Sequence, residues 1–150
     1  MMEERRFYMD KPIAGYGWFI KRIDNALEKE ANQNLQALNL TMQQNRVLIL
    51  LAHAPAHTLS LKALEEHFSA AQSTVAGLVS RLEKKGLIEA VTDPADRRVK
   101  LARLTDEGQR LHAQSRQCVL DSEERLTANL SPEEREIFLS CLKKVYEAVK

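Results

Sequence analysis

The amino-acid sequence predicts a mainly α-helical protein with a single two-stranded β-hairpin. Three observations support this prediction. Apolar residues recur at three- to four-residue steps through most of the chain, which is the period of a buried helix face. Glycines and prolines are few (5 and 4), and several of them, such as Pro12, Pro55 and Gly86, fall where helices are expected to begin or end. Two short segments, LIEAVT and VKLAR, instead alternate at roughly the two-residue period of strands.

Two helices are predicted in the first third of the chain. The first covers 12–38, because Pro12 suits a first helical turn and apolar residues follow it at helical spacing. The second begins at Thr41, a capping residue, and runs to His53, where Pro55 ends it.

A short helix and a longer one are predicted next, joined by a tight connection. Ser60 caps the short helix LKALEEHF. The longer helix covers 70–85, since Ser69 followed by Gln72 is a capping-box pattern and Gly86 is placed to end the helix. Its apolar stripe at i, i+3, i+4 and i+7 consists of Val75, Leu78, Val79 and Leu82.

The hairpin and two further helices complete the order of elements. The strands LIEAVT and VKLAR flank the turn-rich sequence DPAD. Thr105 caps a long helix to about Asn129, with Asp106 and Glu107 near the positive end of its dipole. The sequence SPEE opens the last helix at Ser131. Two adjacent helices followed by a hairpin wing, bracketed by long helices, predict a winged helix-turn-helix.

The domain organisation follows from this order. We expect an N-terminal dimerisation helix over 1–38, a winged helix-turn-helix region over 41–104 and C-terminal dimerisation helices over 105–150, together one intertwined domain. The bracketing helices are longer than one chain of 150 residues needs for its own core. Their expected partner is a second copy of the chain.

The outward face of helix 70–85 carries small hydrogen-bonding and basic side chains. At 100° per residue, the apolar stripe leaves this set on or beside the opposite face: Gln72, Ser73, Thr74, Gly77, Ser80, Arg81 and Lys84. Such side chains suit a helix that enters the major groove of DNA. The alternative is an ordinary solvated helix face.

The charge of the chain is unevenly distributed. Its formal net charge is +1, yet 81–103 carries seven basic and four acidic residues, whereas 121–136 has a charge of −4. An arginine at the hairpin tip can enter a narrow minor groove. Asp96 can accept a hydrogen bond from the Arg98 guanidinium and hold it in place, while Arg97 meets phosphate or the protein's own acidic residues. The alternative is a solubilising turn.

Residues 61–108 resemble the winged helix-turn-helix core of the multiple-antibiotic-resistance regulator (MarR) family. The resemblance rests on the TV–LV–LE–KGLI run over 74–88, the D-x-R at Asp96 and Arg98, and the L-T-x-x-G over 104–108. It implies a cytoplasmic homodimer that binds a pseudo-palindromic DNA operator, usually as a repressor. The recognition helix would occupy the major groove and the wing tip the minor groove.

The resemblance also identifies a candidate DNA-binding set. Its members are Gln72, Ser73, Thr74, Arg81, Lys84, Asp96, Arg97 and Arg98. Gly77 departs from the family, in which an arginine or a larger polar residue is common at that position. A glycine within a helix costs about 1 kcal/mol relative to alanine. Close approach of the helix backbone to DNA and drift at a tolerant site both remain open.

Proteins of this family commonly respond to small aromatic acids, phenols or oxidants. Tyr16, Trp18 and His53 are candidate effector-binding residues for an aromatic or phenolic ligand. The alternative is that they are core or interface residues. Cys118 and Cys141 have no metal-type spacing, and neither lies near the first helix, where oxidant-sensing members usually place their cysteine.

Other classes of protein fit the sequence less well. It contains no Gly-rich phosphate loop, H-E-x-x-H or nucleophile elbow, so we expect no catalytic residues, metal or cofactor. The longest apolar run, VLILLAHA, is too short to cross a membrane, and no signal peptide is visible. The remaining alternative is a winged-helix module that binds protein rather than DNA.

Overall fold

The computed structural model describes residues 15–150, and within them the fold is mainly α-helical with a small sheet, as predicted. Pro12 and the start of the predicted first helix lie outside the described residues. In chain order the elements are α1 (Tyr16–Ala37), α2 (Met42–His53), a 3-10 turn (Pro55–His57), β1 (Thr58–Ser60), α3 (Leu61–Phe68), α4 (Gln72–Lys84), β2 (Ile88–Thr92), β3 (Lys100–Leu104), α5 (Asp106–Leu126) and α6 (Pro132–Val149).

Four helices begin at the capping residues that the sequence predicts. The side chains of Thr41, Ser60, Thr105 and Ser131 each accept a hydrogen bond of 3.1–3.2 Å from a backbone N–H in the first helical turn. Each satisfies a donor that the helix itself leaves free. These caps fix where α2, α3, α5 and α6 begin.

The start of α4 differs from the prediction, and the capping box at Ser69 is wrong. Ser69 adopts the left-handed conformation (φ 48°, ψ 40°) and ends α3 instead of starting the next helix. The N–H groups of Ser69 and Ala70 donate back to carbonyls of α3. Helix α4 therefore starts only at Gln72, after Ala71, which provides no side-chain cap, and covers less than the predicted 70–85.

The sheet has three antiparallel strands in the order β1-β3-β2, one more than the hairpin that the sequence predicts. Strand β1 has three residues, too few to show an alternating pattern, and it is defined by its pairing with β3. Ala102 lies fully buried at the centre, opposite Leu59 on one side and Ala90 on the other.

The core lies between α2, α3, α4 and the sheet. The predicted apolar stripe of α4 is buried, and Leu48, Leu51 and Leu64 are among the largest side chains without solvent exposure. A buried hydrogen bond of 3.0 Å from Ser115 Oγ to Asn45 Oδ1 joins α5 to α2. Within residues 15–150, no helix combines the length and the apolarity needed to cross a bilayer.

The start of α5 is fastened to the loop between α4 and the wing. Gly86 ends α4 with φ +71°, and its carbonyl accepts a 2.7 Å hydrogen bond from the Thr105 hydroxyl. The Thr105 N–H donates to the Leu87 carbonyl at 3.1 Å. A Cβ at Gly108 would overlap that carbonyl oxygen and lie 2.7 Å from Leu104 Cδ1. The close contact between helix and loop therefore requires glycine at position 108.

Two helical glycines should respond oppositely to alanine. We expect Gly108→Ala to lower the free energy of unfolding by about 1–3 kcal/mol through overpacking. A Cβ at Gly77 meets nothing within 4 Å, so Gly77→Ala should raise the free energy of unfolding by up to about 1 kcal/mol. Urea denaturation followed by circular dichroism measures both. A stabilised Gly108→Ala variant would contradict the packing at the junction.

Candidate nucleic-acid interface

The exposed face of α4 carries the side chains that the sequence predicts to read DNA. Burial of Val75 and Leu82 fixes the orientation of the helix. The predicted residues on the helix are all exposed to solvent: Gln72, Ser73, Thr74, Arg81 and Lys84. No side chain caps this helix, so the positive end of its dipole is open to an anion.

The wing tip is shaped by two aspartates that bond to backbone groups. Asp93 accepts a 2.8 Å hydrogen bond from the Ala95 N–H, and Asp96 accepts one of 3.0 Å from the Arg98 N–H. This is the local side-chain pattern that favours aspartate in turns. The main role of the Asp96 carboxylate is therefore to stabilise the backbone of the turn.

The two arginines at the tip extend into solvent. The Arg98 Nε lies 3.5 Å from the Asp96 carboxylate, and the Arg98 side chain is 95% exposed, so this ion pair is weak. The expected hydrogen bond from the guanidinium to Asp96 is thus replaced by one from the backbone. Arg97 is also exposed and pairs with no carboxylate within residues 15–150.

Two other basic residues of 81–103 are engaged by the protein itself. Arg103 forms a 2.7 Å ion pair with Glu89 across the β2–β3 register. Lys85 donates to the Asn39 carbonyl and, at 3.0 Å, to Gln44 Oε1. The available positive charge therefore concentrates on α4 and at the wing tip, a distribution that counting charges along the sequence does not show.

A groove with a volume of about 470 Å³ lies between α2, the end of α3 and the exposed face of α4. Its lining comprises Gln43, Arg46, Phe68, Ala70, Ser73, Thr74, Gly77, Leu78 and Arg81. Sequence reasoning missed Gln43 and Arg46. Their i, i+3 spacing places both on one face of α2, but no local signal shows that this face adjoins α4.

The three candidate effector residues are not joined by contacts within one chain. Tyr16 and Trp18 lie at the start of α1, are 92% and 41% exposed, and the Trp18 ring contacts Phe19 at 5.0 Å. His53, at the end of α2, packs edge to face against His112 of α5, with 5.8 Å between ring centroids. Their shared role in a ligand site stays a prediction.

The thiols and acidic groups form no recognisable metal site in the part of the chain that the structure describes. Cys118 and Cys141 are both free, the first half-buried and the second exposed. No group of three or more histidine, cysteine, aspartate or glutamate side chains is placed to hold a metal ion there.

The geometry defines a winged helix-turn-helix protein. Helices α3 and α4 meet through a tight left-handed turn, α4 presents a polar face, and the β2–β3 hairpin follows it with arginines at the tip. This combination is the arrangement of a DNA-reading module.

Comparison with known proteins places the chain within that class. The MarR family model matches residues 40–100. The transcriptional regulator HosA of Escherichia coli O111:H- is 31% identical over 110 residues, which cover 73% of this chain and 80% of that protein. The chain therefore belongs to the MarR family of winged-helix transcriptional regulators. Relatives and fold are those of regulators, which confirms the prediction that it is not an enzyme.

Solved structures of the family superpose on nearly the whole chain. The MepR–DNA complex of Staphylococcus aureus is 26% identical with a TM-score of 0.79, and the match covers 90% of this chain and 100% of that one. Apo MarR of E. coli is 29% identical with a TM-score of 0.69, over 90% and 98%. The bracketing helices are thus included in the shared fold.

The stability of the protein should depend on pH through His112. Burial lowers the pKa of His112 below its ordinary value of 6.5, and the nearby His53 and Arg116 lower the pKa further. The His112 Nδ1 is buried without a hydrogen-bond partner in the described chain. Because the pKa is lower in the folded state, the unfolded chain binds a proton at His112 more readily. The contribution of neutral His112 to the free energy of unfolding is therefore fully present above pH 6.5 and is lost as the pH falls through the lowered pKa.

We therefore expect the free energy of unfolding to decrease between about pH 7 and pH 5. The variant His112→Gln should reduce this slope, while His67→Gln, at an exposed position on α3, serves as the control. Urea denaturation at several pH values measures the slope. An equal slope in wild type and His112→Gln would show that other groups determine it.

Proposed function

We propose that this MarR-family regulator binds duplex DNA as a homodimer at a pseudo-palindromic operator and represses transcription in the cytoplasm until a small ligand releases it. The observation that carries the proposal is the exposed polar face of α4 together with the exposed arginine tip of the wing. Both elements are fixed to one hydrophobic core.

Helix α4 is suited to the major groove. Gln72, Ser73 and Thr74 lie in its first turn, where a recognition helix contacts base edges. Glutamine can pair with adenine, and serine or threonine with several bases. Arg81 and Lys84, about two and three turns further along, would neutralise phosphates.

The wing is suited to the minor groove beside it. Arg98 is almost fully exposed and weakly paired, so little has to be broken before it enters a groove of negative potential. Arg97 and Lys100 add charge on the same hairpin. The similar MepR protein has been solved bound to DNA, which supports DNA as the partner of this fold.

A second copy of the chain would cover the apolar surface of the bracketing helices. Not one residue of α6 is buried in the single chain. Its exposed apolar residues include Ile137, Leu139, Leu142, Val145, Tyr146 and Val149. Helix α1 likewise exposes Phe19, Ile20 and Ile23. Apolar surface of this extent marks an interface, and the two-fold symmetry of the proposed operator requires two reading heads.

A cavity of about 260 Å³ between α1, α2 and α5 supports a response to a small ligand. Leu27 and Met42 contribute apolar walls, while Asn45 and Ser115 contribute hydrogen-bonding groups. Apolar walls with few polar groups suit a small aromatic or phenolic molecule. The roles of Tyr16, Trp18 and His53 toward such a ligand remain part of this proposal.

A winged-helix module for protein binding is the alternative, and salt dependence separates the two functions. DNA binding through several phosphates should weaken steeply between about 50 and 200 mM salt. If the chain binds protein instead of DNA, it should have no measurable affinity for duplex DNA even at about 50 mM salt.

Loss of the wing arginine should weaken DNA binding without affecting the fold. We expect Arg98→Ala to reduce affinity by roughly 10- to 100-fold, since a charge-assisted hydrogen bond contributes about 1.5–3 kcal/mol. The duplex would be one recovered by selecting genomic fragments on the wild-type protein, and gel-shift titration gives the affinity. Arg110→Ala, which removes an exposed arginine paired with Glu107 on α5, is the charge-matched control. Equal affinities for wild type and Arg98→Ala would refute the role of the wing.

A charge on the exposed face of α6 should separate the subunits. Val145 is 50% exposed in the single chain, so Val145→Glu should leave the helical content unchanged while shifting dimers toward monomers. Sedimentation velocity measures the shift, with Gln109→Glu, at an exposed position near the start of α5, as the control. A Val145→Glu variant that stays fully dimeric would place the interface elsewhere.

A further inference from the structure

We infer that Arg46, which lies on α2 outside both the recognition helix and the wing, binds a phosphate of the DNA backbone beside the groove that α4 enters. The inference rests on the proposed DNA-binding function and adds a third element to the interface. Arg46 is absent from the set of residues that the sequence and the family resemblance identify.

Arg46 shares a surface with the predicted reading residues. The groove of about 470 Å³ that it lines is also lined by Ser73, Thr74 and Arg81 on the exposed face of α4. Gly77 contributes no side chain to the space between them, and nothing lies within 4 Å of where its Cβ would be. A duplex seated on α4 would therefore pass directly beside Arg46.

The guanidinium of Arg46 is held in place by uncharged groups. It lies 4.8 Å from the centroid of the Phe68 ring, and its Nη2 donates a 3.0 Å hydrogen bond to the His67 carbonyl. A guanidinium has five N–H donors, and this arrangement uses one of them. The remaining donors are available to a ligand, and little side-chain entropy is left to be lost when it binds.

Arg46 also keeps its full charge. Four other arginines form close ion pairs with carboxylates: Arg103, Arg110, Arg125 and Arg135. Arg46 has no carboxylate partner within residues 15–150, since its contacts are a ring and a carbonyl. An arginine that is fixed in position but not neutralised is suited to an anion that offers two acceptor oxygens. The two non-bridging oxygens of a phosphodiester can both accept from the planar guanidinium.

Its position favours a phosphate over a base edge. The major groove is about 12 Å wide, so a helix that fills it brings the flanking backbones against the neighbouring elements of the protein. Arg46 lies on such a neighbouring element, stacked on the last residue of α3. Contacts of this kind position the protein on DNA and carry no sequence information.

The test compares three substitutions on two duplexes. The duplexes are one selected from genomic fragments by the wild-type protein and a scrambled version of it. We expect Arg46→Ala to weaken binding to both by a similar factor, roughly tenfold, and to reduce the slope of log affinity against log salt by about 0.9. Arg46→Lys should recover part of the affinity and the full salt slope, because lysine binds a phosphate as a point charge without the bidentate geometry of arginine. Arg110→Ala is the control for the loss of one positive charge.

Several results would overturn the inference. Unchanged affinity in Arg46→Ala, or a loss equal to that of Arg110→Ala, would exclude a local contact. A loss confined to the selected duplex and not recovered by lysine would indicate a base contact instead. If Arg46→Ala melts at a lower temperature, Arg46→Gln keeps a donor for the His67 carbonyl, removes the charge and decides the same question. Wild-type protein that binds neither duplex would refute the proposed function itself.

Discussion

The contact between α5 and the Leu87 carbonyl is the constraint on which the arrangement of α4 and the wing depends. Leu87 follows the end of α4 after Lys85 and Gly86, and it immediately precedes the first strand of the wing. Its carbonyl accepts the Thr105 N–H and faces Gly108 so closely that no side chain fits there. Helix α4, the wing and α5 therefore meet at one point, so a shift of α5 would act on α4 and the wing together.

The basic side chains near this junction are held by contacts within the protein. Glu89 neutralises Arg103 within the sheet, and Lys85 is held by neutral groups of the α1–α2 connection and α2. Other cations without a close carboxylate partner lie further out, on α4, at the wing tip and at Arg46. Since a polyanion responds to charges within about a Debye length, this placement matters more than the net charge of +1.

The features that the sequence predicts correctly are those that local physics determines. Helix periodicity places Val75 and Leu82 in the core, and Thr41, Ser60, Thr105 and Ser131 cap the helices as expected. The misses depend on distant partners. Strand β1 exists because β3 pairs with it, and Arg46 joins the groove because α2 packs beside α4. At Ser69 two local signals competed, and termination of α3 in a left-handed turn prevailed over capping of α4.

The same packing shows how a ligand could act on DNA binding in the proposed function. The cavity between α1, α2 and α5 is bordered by Asn45 and Ser115, whose hydrogen bond joins the long helix to the reading core. A molecule bound there competes for these polar groups and occupies the space between the helices that bracket the core. Because α5 is fastened to the wing and to α4 through Gly108, its displacement in the proposed dimer would change the position of α4 and the wing in each subunit. Two half-sites about 34–36 Å apart would tolerate little such change, so in the proposed function a ligand would release DNA without contacting the residues of α4 or the wing.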